Sequence, residues 1–451
     1  MIKRKKINPA GKIVLGFLTI IIIGTILLCL PVSSNEGKWL PLVDSLLTST
    51  SSVCVTGLVV VDTAVYFSLF GQIVILLLIQ IGGLGFITLT SLVFLLLGKK
   101  ITYEKRMTIQ ESFNQENIQG MVKLIKKIII LVFSIEFIGF ICLAPSMVNI
   151  YGWGSGLFKA LFLSISAFCN AGHDILGTTS TQFTSLSAFA QNVFVLLPIM
   201  FLIVLGGLGY LVLFEIGKKF KKEKISLCSK IVLISTLILI LGGAFVFACL
   251  EWNNPQTIGN MSFGEKILNS FFLSITPRTA GFTVFDFSNL TQPSIFLMEI
   301  LMFIGGGPAS TAGGIKTTTL IVLIVAVFKS ANDNGNIQFC KRSISAKTVK
   351  KAFRVVAMAI SFIVVSSFLI SIFEGNAISV DKIFFECISA FSTVGLSLNT
   401  TALLGVASKV IITILMFVGR VGALTLTLAL ANKTNDISKN IEYPDSKIMV
   451  G

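Results

Sequence analysis

The chain has 451 residues, 54% of them hydrophobic and only 13% charged. Its mean hydropathy is +0.90, and soluble domains carry about a quarter charged residues, so a soluble class is excluded and the bilayer sets the frame. The net charge of +15 is not a nucleic-acid footprint, because Lys and Arg gather in alternate connections, as the positive-inside rule requires of cytoplasmic loops.

Behind the basic "MIKRKK", the apolar run from Ile13 to Leu30 is too long for the core of a signal peptide, and "CLPVSSNEG" is a poor cleavage site. It is expected to be a first span, about residues 13 to 31. A segment too short to cross follows, "PLVDSLLTSTSS", with Asp44 near its start, where a carboxylate suits the positive end of a helix dipole. It runs into "SSVCVTGLVVVDT", too polar for lipid and too apolar for an ordinary exposed loop. A second span, 67 to 97, carries "QIGGLGF".

The same order then returns three times. Span 127 to 149 leads to "GSGLFKALFLSISAF", "SAFCNAGHDIL" and span 188 to 214 with "VLGGLGY". Span 229 to 250 leads to "SFGEKILNSFFLSIT" with Glu265, "TPRTAGFTVFD" and span 292 to 328 with "FIGGGPA". Span 352 to 373 leads to "SVDKIFFECISAF" with Asp381, "SAFSTVGLSLN" and span 406 to 430 with "FVGRVGA". The basic connections Lys99 to Lys127, Lys218 to Lys230 and Lys329 to Arg354, the basic start and the tail after Leu430 lie on one side, which puts both termini in the cytoplasm. The eight cysteines are scattered singly and pair with neither one another nor the one histidine, so they read as small hydrophobes.

Gly57, Gly172, Gly281 and Gly395 stand 115, 109 and 114 residues apart, and two signatures recurring in one order make an internal repeat. Each unit crosses twice, so consecutive units enter the membrane with the same orientation and can surround an axis along its normal. The expected fold is an all-α membrane protein of eight transmembrane helices and four re-entrant half-helices, in four parallel span/pore-helix/span repeats around a pseudo-fourfold pore. The units are 1–100, 101–216, 217–329 and 330–430, with a cytoplasmic tail at 431–451.

Non-helical backbone at membrane depth must be buried in protein or line a wet path. Glycine tolerates the positive φ that aims a carbonyl inward, which a β-branched residue could hardly adopt. Four such loops would offer rings of carbonyl oxygens in place of a hydration shell, and half-helix C-termini aimed at the centre favour a cation. Asp62 and Asp286 each lie five residues beyond their glycine, in repeats facing each other across the axis. At an outer mouth, with Asp174, they would raise the local cation concentration; the alternative is ordinary solvated loop acids.

These residues resemble the potassium-translocating subunits of the Trk/Ktr/HKT superfamily, and its KtrB-type branch most closely. "VTGL", "NAG", "RTAGF" and "TVGLS" look like the four filter segments, "GGGPASTAGGIKTTT" like the intramembrane gating loop, and "YPDSKIMVG" like the C-terminal tail. The resemblance implies a potassium filter at Val55, Thr56, Gly57, Asn170, Ala171, Gly172, Thr279, Ala280, Gly281, Thr393, Val394 and Gly395. It further implies a homodimer with one pore per subunit in a bacterial cytoplasmic membrane. A KtrA-like cytosolic RCK ring would gate it by binding ATP or ADP, with sodium often an activator. A sodium or poorly selective monovalent cation transporter of the same fold is the alternative.

The stretch 304–319 resembles a phosphate loop but lacks the G-K-[ST] core and a preceding strand. A flexible break in a pore-lining helix fits better, with Gly305, Gly306, Gly307, Gly313 and Gly314 supplying the bends. Lys316 and Arg420 are cations at membrane depth, which insertion scales price at about 2.5–3.5 kcal/mol at a helix centre. Arg420 looks like the family's arginine below the filter; Lys316 serves either the gate or an anchor to helix-end carbonyls. Arg278 reads as an anchor paired with Glu299 or Glu386. His173 departs from the family's usual Phe, and reads either as a titrating group at the mouth or as hydrogen-bonded packing. No nucleophile with a base is present, so no enzyme is expected. A solute transporter would need inverted repeats and midplane acids, of which Glu136 is a lone candidate.

Overall fold

In this computed structural model, residues 9–85, 121–219, 225–329, 337–339, 342–422 and 425–426 are described. The tail 431–451 and the outer parts of several basic connections lie outside them, as do the expected span ends 86–97 and 427–430. Each repeat opens with a long apolar helix: α1 (Pro9–Cys29), α5 (Met121–Tyr151), α9 (Leu227–Glu251) and α13 (Ala346–Glu374) follow once α2–α4, α6–α8 and α10–α12 are counted between them. Among the described residues these four are long and apolar enough to cross a bilayer unbroken. Their outward faces expose Ile22, Phe137, Phe245 and Phe368, as a helix facing lipid does.

The half-helices are α2 (Leu42–Cys54), α6 (Trp153–Cys169), α10 (Phe263–Ile275) and α14 (Val380–Ser392). Asp44, Glu265 and Asp381 sit in first turns, and Glu265 closes a capping box with Ser262. Although rich in Ser and Thr, these helices are the buried ones. Some of their hydroxyls turn to carbonyls, Thr48 to Asp44 at 2.8 Å and Ser52 to Thr48 at 2.8 Å, as buried polar groups at membrane depth require.

The returning helices of repeats one, two and four stop at a glycine within the expected span, and that of repeat three is interrupted where the loop was expected. After the short α3 (Thr63–Tyr66), α4 (Leu69–Leu84) stops at Gly85. The helix α7 (Val193–Leu208) stops at Gly209, and α8 (Tyr210–Lys219) leaves it at a 100° bend. In the third repeat α11 (Gln292–Phe303) and α12 (Thr317–Phe328) are separated by the loop 304–316, and α15 (Val406–Val421) ends at Gly422. Gly85, Gly209 and Gly422 have φ of 79°, 95° and 88°, a left-handed stop that ends a helix at low cost. A short antiparallel pair, β1 (Ile337–Phe339) with β2 (Arg342–Ile344), lies in the third basic connection.

Candidate functional site

Two residues before each glycine the backbone turns left-handed: Val55 (φ 58°), Asn170 (60°) and Thr393 (52°) as the C-caps of their half-helices, and Thr279 (66°) three residues beyond the Thr276 cap of α10. Three of these are β-branched, contrary to the expectation that such residues avoid this conformation, and each costs on the order of 1–3 kcal/mol. Tight capping holds them there: the Val55 amide faces the Ser51 and Ser52 carbonyls, and the next amides, Thr56, Ala171 and Val394, reach Ser51, Ser166 and Ser389 carbonyls at 2.8, 2.8 and 2.9 Å. The glycines Gly57, Gly172, Gly281 and Gly395 then take φ of 99°, 67°, 77° and 91°.

The four segments form one closed ring. A Cβ on Gly57 would lie 2.6 Å from the Ala171 carbonyl oxygen, and one on Gly172 would lie 2.7 Å from that of Ala280. One on Gly281 would strike the Val394 oxygen, and one on Gly395 the Thr56 oxygen. Repeats one and three therefore stand opposite each other.

Hydroxyls from the half-helices tie the segments down. Gly57 N–H donates to Ser51 Oγ at 3.0 Å and Gly395 N–H to Ser389 Oγ at 3.1 Å. Ser166 Oγ donates to the His173 carbonyl and Thr276 Oγ1 to that of Phe282, both at 2.6 Å.

A cavity of about 490 Å³ opens onto the ring from the side where the half-helices begin, lined by all four glycines and by Asp62, His173, Asp174 and Asp286. Asp62 caps α3 through Ala64 and Val65 N–H and takes the Phe183 N–H at 2.7 Å, tying repeat one to repeat two. Asp286 accepts from Ser288 and, at 3.0 Å, from Asn399 Nδ2, tying three to four. Burial pushes the half-buried Asp174 up to about 6, against the Leu176 amide that donates to it, while the Asp62 charge adds to the rise. His173 is 1% exposed, with Nε2 3.2 Å from Ser51 Oγ.

On the other side of the ring lies the loop 304–316. Thr311 Oγ1 donates to the Phe168 carbonyl at 3.3 Å, and Gly313 and Gly314 press on Thr393 and Ser392. Gly305 pairs with Ile315 and Gly306 with Thr317, which closes the loop's neck. Main-chain bonds dock it on the α7/α8 break: Gly307 N–H to Gly207 O at 2.8 Å, and Tyr210 N–H to Ala309 O at 3.0 Å. Two cations hold consecutive loop carbonyls, Arg420 that of Thr311 and Lys316 Nζ that of Ala312. Arg420 also donates to the Gly82 carbonyl, so it bridges repeats four, three and one.

Arg278 corrects an expectation. Its guanidinium is buried and donates to the Thr236 carbonyl and hydroxyl, both at 3.3 Å, not to Glu299 or Glu386; a carbonyl anchors a cation without desolvating a second charge. The Glu136 carboxylate is occupied by Gln80 Nε2, 3.0 Å from both oxygens.

The sequence reading missed a third glycine. Gly24, Gly139 and Gly243 on the first helices would each drive a Cβ into Ser49, Ser164 or Ser274 of the half-helix. Those serines donate to the carbonyl of the residue three before the glycine, Ile21, Glu136 and Ile240. The signal lay in the glycines standing 33, 33 and 38 residues before the ring glycines. Likewise Gly82, Gly206 and Gly419 of the second signature sit on the carbonyls of Val53, Phe168 and Phe391, at the ends of their half-helices.

Residues 9–440 match the family described as TrkH, cation transport protein. The chain is 40% identical to the Ktr system potassium uptake protein B of Bacillus subtilis over 451 residues, covering all of this chain and 98% of that one. It is 36% identical to the potassium/sodium uptake protein NtpJ of Enterococcus hirae, over 99% of this chain and 98% of that one. The crystal structure of the potassium transporter TrkH from Vibrio parahaemolyticus superposes with a TM-score of 0.70 at 16% identity, over 95% of this chain and 86% of that one, a likeness of fold.

Proposed function

Because the chain belongs to the TrkH family of cation transport proteins and is a membrane transporter rather than an enzyme, we propose that it takes up potassium through the ring at Gly57, Gly172, Gly281 and Gly395. One observation carries this reading: each ring glycine lies against the carbonyl preceding the next, so main-chain oxygens of four repeats surround one axis. A potassium ion would exchange its hydration water for those oxygens, with the half-helix C-termini adding partial negative charge. The filter comprises Val55 to Gly57, Asn170 to Gly172, Thr279 to Gly281 and Thr393 to Gly395.

The cavity is the outer mouth, where Asp174, Asp62 and Asp286 draw cations in, and the loop 304–316 is the gate beneath the filter. Lys316 and Arg420 hold it shut. The Bacillus subtilis relative is named for a Ktr system, which favours a homodimer gated by a KtrA-like cytosolic ring that binds ATP or ADP, in a bacterial cytoplasmic membrane with both termini inside. Sodium acts as an activator in this reading. The second reading, a sodium or weakly selective transporter, is favoured by the potassium/sodium name of the Enterococcus relative.

The test is growth of a potassium-uptake-deficient bacterium at limiting potassium, with and without a KtrA-like partner. The parent chain restores growth. Gly281→Ser, whose side chain would meet the Val394 oxygen, lowers the potassium-over-sodium uptake ratio about tenfold, roughly 1.4 kcal/mol. No rescue by the parent under either condition overturns the proposal.

A further inference from the structure

The residue after each ring glycine is buried: Leu58, His173, Phe282 and Leu396. Only His173 is polar, and it reaches out of its own repeat. Its Nε2 is 3.2 Å from Ser51 Oγ on α2, and that same oxygen accepts the Gly57 N–H at 3.0 Å. His173 is itself held at the backbone, because Ser166 Oγ donates to its carbonyl at 2.6 Å. A chain of hydrogen bonds thus runs from α6 through His173 and Ser51 to the amide of Gly57. In repeat four, Ser389 Oγ takes the Gly395 N–H at 3.1 Å in the same way, but the residue following the glycine of the adjacent repeat is there Leu58, which has no polar atom to offer.

We propose that His173 is a positioning residue for the first filter segment, acting through Ser51 on Gly57, and that this cross-repeat link sets how strictly the ring prefers potassium to sodium. The inference rests on the transport reading above. Whichever ring nitrogen carries the proton, one hydrogen bond joins imidazole and hydroxyl, and it fixes the rotamer of the serine that holds the Gly57 amide. Val55, two residues earlier, is a β-branched residue at φ 58°, a conformation that persists only where neighbours over-determine it. Gly57 in turn lies against the Ala171 carbonyl. Loosening the link therefore alters the spacing of oxygens from two repeats at once, and ion preference follows from the number and placement of such oxygens.

The experiment measures the ratio of rubidium to sodium uptake in potassium-uptake-deficient cells, with the membrane abundance of each variant determined. The variants are His173→Phe, His173→Gln, Ser51→Ala and Ser51→Ala with His173→Phe together. His173→Phe keeps the volume but removes the polar atom, and lowers the ratio about two- to tenfold, the range set by one hydrogen bond. His173→Gln, whose amide can span the same gap, restores most of it. Ser51→Ala lowers the ratio as well, and in its background His173→Phe changes nothing more. A parental ratio in His173→Phe, or losses that multiply in the double variant, overturns the proposal. Should His173→Phe not reach the membrane, His173→Met against His173→Gln makes the same comparison. A parent chain that takes up neither ion removes the transport reading, and this inference falls with it.

Discussion

At the proposed mouth, burial raises the Asp174 carboxyl into the pH range cells meet. It lines the cavity above the ring, accepts from the Leu176 amide at 3.1 Å, and is pushed up to about 6 by burial and by Asp62. Above that pH it is ionised and adds to the negative potential of the mouth; as pH falls through it, the charge is lost. Uptake at low potassium is therefore expected to fall between about pH 7.5 and pH 5, and Asp174→Asn to give a flat, lower profile. A parental profile in the Asn variant would remove Asp174 from the mouth's field. The matched spacing of Asp62 and Asp286 singled out two acids that line this cavity, but their work as ties between loops was not legible. Their partners, Phe183 and Asn399, lie 121 and 113 residues away. The Thr236 anchor of Arg278, 42 residues away, was hidden for a different reason: a cation in a sequence suggests an acid partner before it suggests a carbonyl.

At the scale of elements, glycine placement decides which helices touch. Gly242 and Gly243 are adjacent on α9, yet a Cβ on Gly242 meets open space, while one on Gly243 would strike the Ser274 hydroxyl and lie 3.3 Å from Leu301 Cδ1. Gly243→Val is thus expected to destabilise the protein by about 1–3 kcal/mol through overpacking, and Gly242→Val to leave it near parental, as read by thermal unfolding in detergent. Equal losses in both would refute the contact. Half-helices, their acidic first turns and the fourfold order were all readable, because hydropathy and spacing record them directly. The breaks at Gly85, Gly209 and Gly422 were not. Apolar residues continue directly past each of them, so a hydropathy window runs through a turn that only the backbone dihedral reveals. The left-handed Val55 and Thr393 escaped for a related reason, since propensity argues against them and only the capping of their half-helices overrides it.

For the molecule as a whole, the loop 304–316 is a junction. Its main chain is bonded to repeat two, and Arg420 fastens it to repeats four and one. Hydrogen bonds from a charged group contribute about 1.5–3 kcal/mol each, so Arg420→Ala shifts the loop toward release. With the loop as the proposed gate, potassium uptake in cells lacking a KtrA-like protein is expected to rise about tenfold or more. Unchanged rates would take the arginine out of the gate.

The ring closes only where Gly395 meets Thr56, and Lys409 of α15 pairs with Asp44 of α2 at 2.8 Å across 365 positions of chain. A ribosome must therefore reach the fourth repeat before the ring of main-chain oxygens can close. A nascent chain released before that point inserts its greasy helices yet lacks one side of the ring, which places closure in the final stage of synthesis.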